Sequence, residues 1–336
     1  MQSKNMMSKM KIAIAILNWN GKNWLEKFLP NVLKYSLEAE IYVLDNASTD
    51  DSVPFLESNF PSVKIIQNPS NSGFAAGYNQ GLKSIQADIY CLLNSDVEIT
   101  ENWLSPIIEL FSKDQNIAAV QPKILDYFQK NKFEFAGAGG GLIDNLGYPY
   151  CRGRIFDDIE IDNGQYDDDT EIFWASGCAL FIRSEDFWSM NGFDERFFAH
   201  QEEIDLCWRL KNTGKKIYYT GKSKVYHVGG GTLNKQNPQK TYLNFRNNLT
   251  MLIKNLPASG IISVIFSRLV LDGFAGLYFG YKDGWSHLWA ILRAHFGFYG
   301  QIPASLKLRQ DNQIKPYYQS KWLIFKHFFG SKNNSL

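Results

Sequence analysis

Four short apolar runs, at residues 11–19, 41–45, 63–66 and 89–93, each break off into polar residues, and between them apolar positions recur at helical spacing. Residues 11–19 carry apolar side chains on both alternating faces, the pattern of a strand covered on both sides. Asn20-Gly21 breaks that run, and Trp24, Leu25, Phe28, Leu29 and Val32 then follow one helix face. The second run ends at Asp45 and opens into Asn46-Ala-Ser-Thr-Asp-Asp51, rich in turn and N-cap residues, after which Val53, Phe55 and Leu56 suit a short helix. Asn71-Ser-Gly73 opens a helix reaching about Ile85, and after the fourth run Thr100 stands where it can cap a helix holding Trp103, Leu104, Ile107, Ile108 and Phe111. This alternation predicts right-handed βαβ units in an α/β fold, a Rossmann-like, mostly parallel sheet flanked by helices.

The middle of the chain is less regular. Gly137–Gly141 and Asp167–Asp169 mark loops, residues 173–183 read as a strand passing Gly177, and Ser184 can cap a short helix bearing Glu185 and Asp186. Residues 202–210 look helical, with Gly214 ending the helix, and 217–227 form another strand-like run.

Beyond about Pro238 the composition changes. Residues 255–300 are rich in Phe, Leu, Ile, Trp and Gly, interrupted by Arg268, Asp272, Lys282 and Asp283. No stretch of about 18 uncharged apolar residues occurs, so a spanning helix is not expected. Two readings stand: helices lying on a membrane surface, or a helical layer packed on the preceding domain. The predicted division is 1–238 and 239–336, the second part a basic, aromatic helical extension and a candidate for membrane association.

Hydrophobic content of 45% with 21% charged residues is ordinary for a globular chain, and the net charge of +1 hides an asymmetry. From Lys240 onward there are 12 Lys/Arg against 3 Asp/Glu, whereas the preceding part holds 23 against 31. Different partners for the two parts follow. Cys91, Cys151, Cys178 and Cys207 form no C-x-x-C pair, and three of them lie in apolar runs, which predicts reduced core thiols in a cytosolic protein. The N-terminus resembles a signal peptide only in part: its apolar stretch, Ile12–Leu17, runs straight into Asn18-Trp-Asn-Gly21, so export is not expected.

Chemistry concentrates where the strand-like runs end, since the carboxyl edge of a parallel sheet is where such folds bind ligands. Asp45 can accept hydrogen bonds from a base or ribose, or simply hold a turn. Asp96, after Leu92-Leu-Asn-Ser95, is a hard oxygen ligand suited to Mg²⁺ or Mn²⁺, which take one or two carboxylates plus phosphates and water. His227 precedes Val-Gly-Gly-Gly-Thr232, glycines that would let backbone approach a phosphate. Glu202, Glu203 and Asp205 cluster at a helix start, where they suit the helix dipole or supply a general base. No Walker loop or dinucleotide fingerprint occurs.

Together these segments resemble glycosyltransferase family 2, inverting enzymes of the GT-A fold. The resemblance runs through Ile14-Ala-Ile-Leu-Asn-Trp-Asn-Gly21, Val43-Leu-Asp-Asn-Ala-Ser-Thr-Asp50, Asn68, Asn71-Ser-Gly-Phe-Ala-Ala-Gly77 with Asn79, and Leu92-Leu-Asn-Ser-Asp-Val97. It continues through Gly177-Cys-Ala-Leu-Phe-Ile-Arg183, Gly192-Phe-Asp-Glu195, Phe197-Phe198, Glu202-Glu-Ile-Asp-Leu-Cys-Trp-Arg209 and His227 with Gly230 and Thr232, covering about residues 11–250. It implies that Asp45 binds the nucleotide, with Asn18, Asn46, Asn79 and Asn94 beside it. Asp96 is then the metal-binding Asp of the family's Asp-x-Asp element, and His227 completes the metal or diphosphate site. Glu203 stands at the acceptor-activating base, supported by Glu202 and Asp205; Trp208 and Arg209 orient the helix. Two positions depart from the family pattern: Asn94 replaces the first Asp, and Glu replaces the usual Asp base, leaving Glu202 and Glu203 both open as the base.

The implied activity is inverting transfer of a sugar from a nucleotide sugar (dTDP-rhamnose-like, UDP- or GDP-linked) to a hydroxyl of a glycan or lipid-linked acceptor in bacterial surface polysaccharide synthesis. The flavour is rhamnosyltransferase-like, with a divalent metal as cofactor. The implied place is the cytoplasm, peripheral at the inner face of the membrane, with no nucleic-acid partner. The alternatives are a nucleotidyltransferase, disfavoured because Asn18–Gly21 holds no cation, and a non-catalytic sugar-nucleotide or glycan-binding module.

Overall fold

The computed structural model describes residues 10–229 and 237–329; Gly230 and Thr232 lie outside them. The expected alternation opens the chain: β1 (Ile12–Asn18), α1 (Lys22–Tyr35), β2 (Ala39–Asp45), α2 (Ser52–Asn59), β3 (Lys64–Gln67), α3 (Gly73–Leu82), β4 (Ile89–Asn94), β5 (Val97–Ile99), α4 (Leu104–Lys113) and β6 (Ile117–Asp126). A small four-stranded sheet follows, built from β7 (Gly141–Ile143), β8 (Pro149–Cys151), β9 (Arg154–Ile155) and β10 (Asp158–Ile159). Then come β11 (Asp169–Ile172), β12 (Ala179–Arg183), α5 (Ser184–Ser189), α6 (Glu202–Asn212) and β13 (Lys216–His227).

The main sheet runs β11-β13-β6-β12-β4-β1-β2-β3, with β5 paired to β13. Strands β3, β2, β1 and β4 are parallel neighbours, as are β6 and β13, while β12 lies antiparallel between β4 and β6. Both faces of the parallel unit are buried, as the apolar runs demand. Ile12, Ile14 and Ile16 pack with Leu25 and Leu29 of α1 and Leu104 and Ile107 of α4; Ala13 and Ala15 face Tyr78 and Leu82 of α3. Each such large side chain contributes roughly 1.5–3 kcal/mol.

Two local expectations change. Thr100 does not cap α4, which starts at Leu104; its hydroxyl donates to the Lys224 carbonyl and so ties the β5 turn to β13. The strand expected over 173–183 is confined to β12, because the chain turns around Gly177 before it enters the sheet. The four cysteines are free and buried, as expected.

The C-terminal part is helical: α7 (Pro238–Asn255), α8 (Ile261–Lys282), α9 (Trp285–Lys307) and α10 (Leu323–Phe329). One helical stretch, Ala258–Lys282, is long and apolar enough to cross a membrane by length and composition, with 17% of its apolar window buried. It holds Arg268 and Asp272, so an uncharged run of about 18 residues is still absent, as read from the sequence. Arg268 and Asp272, which interrupt it in sequence, lie buried on its inner side 3.5 Å apart. The outer side carries Ile262, Phe266, Val270, Phe274, Leu277 and Tyr281, all exposed. A second exposed stripe on α9 holds Trp285, Trp289, Leu292, Phe296 and Tyr299, opposite the buried His287, Ala290, Ile291, Ala294 and Phe298.

Candidate active site

Parallel register sets the first wall of the site. Asn18 aligns with Asp45 across β1 and β2, and Leu17 aligns with Asn94 across β1 and β4, so Asn18, Asp45 and Asn94 end on one edge. The Asn18 amide donates to Asp45 Oδ1 at 3.0 Å and to Ser48 Oγ at 3.1 Å, and the Ser48 N–H donates to Asp45 Oδ2 at 3.0 Å. Asn18 Oδ1 is buried without a partner. Asn46 lies deeper: its amide donates to Asn71 Oδ1 and the Gly73 carbonyl, and its Oδ1 accepts from Asn68. Asn79 is spent on the segment before the site helix, bonding Phe193 at both N–H and C=O and donating to Glu195. Asn46 and Asn79 therefore brace the edge, whereas Asn18 and Asp45 line it.

The second wall comes from residues far apart in sequence. The end of β13 pairs with β5, placing His227 opposite Val97. His227 Nε2 stands 3.2 Å from Asp96 Oδ1 and 3.4 Å from the Asn94 amide, so Asn94 belongs beside His227 rather than beside Asp45. On the other side of the ring, Glu134 Oε2 lies 3.2 Å from Nδ1. All three of Asp96, Glu134 and His227 are buried. Burial works against a charge on His227, but Cys178, Glu134 and Asp96 outweigh it and raise the imidazole well above its ordinary pKa. Sequence reading missed Glu134. Its one local signal is a lone carboxylate between Phe133 and Phe135, and its partner becomes visible only when β6 and β13 pair.

The third wall is the start of α6. Glu202 is buried and Glu203 half-buried, and each has an Oε2 atom sealed from solvent without a hydrogen-bond partner. Burial pushes the Glu203 carboxyl up to about 7. Burial, with the neighbouring Glu203 charge, drives Glu202 well above its usual value. Asp205 is not brought to the cleft. Its oxygens are taken by Arg209 at 2.8 Å, Lys254 at 2.9 Å and Asn255 at 2.9 Å, a buried network joining α6 to α7. The chain enters α6 through Phe198, His200 and Gln201, all at positive φ. Asn247 of α7 holds that turn by donating to the carbonyls of Phe197, Ala199 and His200. Phe198 also needs Gly73 opposite it: Gly73 has φ +85°, and a Cβ there would sit 2.5 Å from the Phe198 carbonyl oxygen. Trp208 stacks on Tyr317, and Arg209 bonds the Met190 and Gly192 carbonyls, so both orient the helix.

Among the described residues, no three His, Cys, Asp or Glu side chains converge as a metal cage. Asp96 Oδ1 and His227 Nε2 do converge, one hard oxygen and one imidazole nitrogen, with Glu134 behind the ring as an orienting carboxylate. Once a cation displaces the proton these carboxylates hold on the ring, that donor set fits Mg²⁺ or Mn²⁺ completed by substrate phosphates and water.

The profile of Glycosyl transferase family 2 matches residues 13–184. An N-acetylglucosaminyl-diphospho-decaprenol L-rhamnosyltransferase of Mycobacterium tuberculosis is 24% identical over 220 residues, 60% of this chain and 71% of that protein. Among solved structures, GalNAc-T7 with UDP, GalNAc and Mn²⁺ aligns with a TM-score of 0.59 at 16% identity, over 75% of this chain and 49% of that one, so about half of that chain is spanned. The mannosyltransferase PcManGT from Pyrobaculum calidifontis, with GDP-Man and Mn²⁺, gives 0.55 at 12% identity, over 89% and 76%. The expected mixed α/β architecture with C-terminal helices is therefore that of GT-A glycosyltransferases, and nucleotidyl transfer and a non-catalytic module fall away. This chain belongs to glycosyl transferase family 2, as a rhamnosyltransferase-like glycosyltransferase.

Proposed function

We propose that the protein transfers a sugar, with inversion, from a nucleoside-diphosphate sugar to a hydroxyl of a lipid-linked or polysaccharide acceptor. The observation that carries this is the meeting of Asp96 and His227, from distant segments, on the same sheet edge as Asp45. Asp45 and Asn18 take the nucleoside, and Glu203 removes the acceptor proton as that oxygen attacks the anomeric carbon. Glu203, the less buried of the pair, is the better placed to ionise. A divalent ion held by Asp96 and His227 would offset charge on the departing diphosphate. Residues 1–238 form the catalytic part and 239–336 the extension, with α7 bracing the turn before Glu203. The donor reading draws on the named activity of the mycobacterial relative, a rhamnosyltransferase whose acceptor name carries a decaprenol.

A thermal-shift panel of dTDP, UDP and GDP, each with and without Mn²⁺, tests this reading. A ligand bound only by the folded state raises the apparent Tm with the logarithm of its excess over Kd. A metal-dependent rise with one nucleotide is expected and identifies the base; folded protein indifferent to all three would refute the assignment.

The exposed stripes of α8 and α9 support a peripheral place at an anionic cytoplasmic membrane face. Together they exceed the scattered apolar residues normal for a surface, and aromatic side chains suit the interface. The excess of Lys and Arg beyond Lys240 complements anionic headgroups. Wild-type protein should float with phosphatidylglycerol vesicles. Joint replacement of Phe266, Phe274, Trp285 and Trp289 by Glu should cut binding by about tenfold or more, since each buried apolar side chain contributes roughly 1.5–3 kcal/mol. Equal flotation of the folded variant would remove the role given to this face.

A further inference from the structure

The buried cations among the described residues are Lys123, Arg154, Arg183, Arg209, Lys254 and Arg268. Five of them meet oxygen. Asp162 and Asp167 hold Lys123, Asp194 and Asp205 hold Lys254, and Asp205 holds Arg209. Asp272 pairs with Arg268, and the Ile117 and Phe111 carbonyls accept from Arg183. Arg154 is different. Its Nη2 reaches Cys151 Sγ at 3.3 Å, its guanidinium lies 4.5 Å from the centre of the Phe135 ring, and its Nε is buried without a hydrogen-bond partner. Only 7% of Arg154 is exposed. A buried guanidinium with no anion and no carbonyl among the described residues is strongly unfavourable unless something else supplies the oxygen.

Its position indicates what does. Arg154 opens β9 across a tight turn from Cys151, with Gly153 at φ +83°. It rests on Phe135, whose neighbour Glu134 touches His227. Bonded to Cys151 and stacked on Phe135, Arg154 therefore lies beside the segment that carries a carboxylate to the His227 end of the cleft. A cleft lined by Asp96, Glu134 and Glu203 repels a multiply charged anion, and a fixed guanidinium offsets that repulsion. Its planar fork matches two phosphate oxygens.

We propose that Arg154 binds a diphosphate group carried into the cleft by one of the two substrates. This rests on the glycosyl-transfer reading above and names a residue that the reading leaves out. The diphosphate belongs either to the donor or to a pyrophosphate-linked acceptor.

The test compares wild type, Arg154→Gln and Arg154→Lys by calorimetry with inorganic pyrophosphate and with dTDP, UDP and GDP plus Mn²⁺. It adds transfer to paired acceptors that share a sugar but differ in a pyrophosphate-linked aglycone. Arg154→Gln should lose about tenfold or more in pyrophosphate affinity, with Arg154→Lys in between, as a point charge replaces the fork. A parallel loss for the nucleoside diphosphate assigns the donor. Unchanged nucleoside diphosphate binding with a lost preference for the pyrophosphate-linked acceptor assigns the acceptor. Pyrophosphate binding that is absent from the wild type, or equal in wild type and Arg154→Gln, would overturn the proposal, as would Arg154→Lys behaving like wild type should the Gln variant not fold. Failure of the underlying reading shows separately, as a wild-type chain with no affinity for any nucleoside diphosphate.

Discussion

Glu203→Gln is expected to lower kcat by about 10²–10⁴-fold, the usual contribution of a positioned general base. Nucleoside diphosphate affinity should stay within about twofold, because the nucleoside contacts assigned to Asp45 and Asn18 lie on the opposite wall and sites with no shared partners act independently. The same variant should be more stable than wild type. Burial raises Glu203 to about 7, so its carboxyl prefers to be neutral in the folded chain. A group raised above its unfolded value contributes stability below that value and loses it as pH rises through the folded pKa. The gain in unfolding free energy for Glu203→Gln should therefore be small below about pH 4.5, grow between about 4.5 and 7, and level off above, at on the order of 1 kcal/mol or more. Wild-type kcat/KM should rise over that interval, since only the ionised carboxylate accepts the proton. Full activity in the Gln variant, or a rate that falls as pH rises through 7, would move the base elsewhere. Glu202→Gln is the comparison: pushed toward its neutral form by burial, Glu202 should give a smaller loss when made amide-like.

The strand-by-strand layout of the first part was legible because a run buried on both faces is a local property. Ile12–Asn18, Ala39–Asp45 and Ile89–Asn94 lie within two residues of where the apolar runs end. Asp45, Asp96, Glu203 and His227 could be picked out because each sits where a strand ends or a helix begins. What stayed hidden depends on pairings between distant segments. Glu134 reaches His227 because Phe133 bridges Leu125 of β6 and β6 pairs with β13, and a lone carboxylate between two phenylalanines does not name that partner. Asp205 looked like part of an acidic site cluster, yet its partners Lys254 and Asn255 come from α7. Arg268 and Asp272 looked like interruptions in an apolar segment. At i and i+4 they share one helix face, and it is the inner one. Composition counts charges without asking which side of a helix they occupy. That is why the outer face of α8 is more apolar than its sequence suggested.

Asp96→Ala should remove the metal-dependent part of nucleotide binding and lower kcat by about 10²–10³-fold, the scale seen when a preorganised charge-stabilising group is lost. The argument follows from how few donors the site offers. Asp96 is the carboxylate beside His227 Nε2, and Asn94 stands where a second carboxylate would be expected, a weaker, neutral ligand. With so small a donor set, loss of the one carboxylate leaves an imidazole and an amide, too little for a hard cation. Binding of the nucleoside diphosphate without metal should survive, since Asn18 and Asp45 hold their geometry through each other and Ser48, with no bond to Asp96. Calorimetric titration of wild type and variant with the nucleotide chosen by the thermal-shift panel, across a Mn²⁺ series, separates the two terms. Asn94→Asp provides the reverse arm: restoring a carboxylate should tighten Mn²⁺ binding. Glu134→Gln should weaken it by about 10–100-fold through the orientation of His227 rather than through a lost ligand. Metal-dependent binding that persists undiminished in Asp96→Ala would place the cation elsewhere and leave the Asp96–His227 contact a structural ion pair.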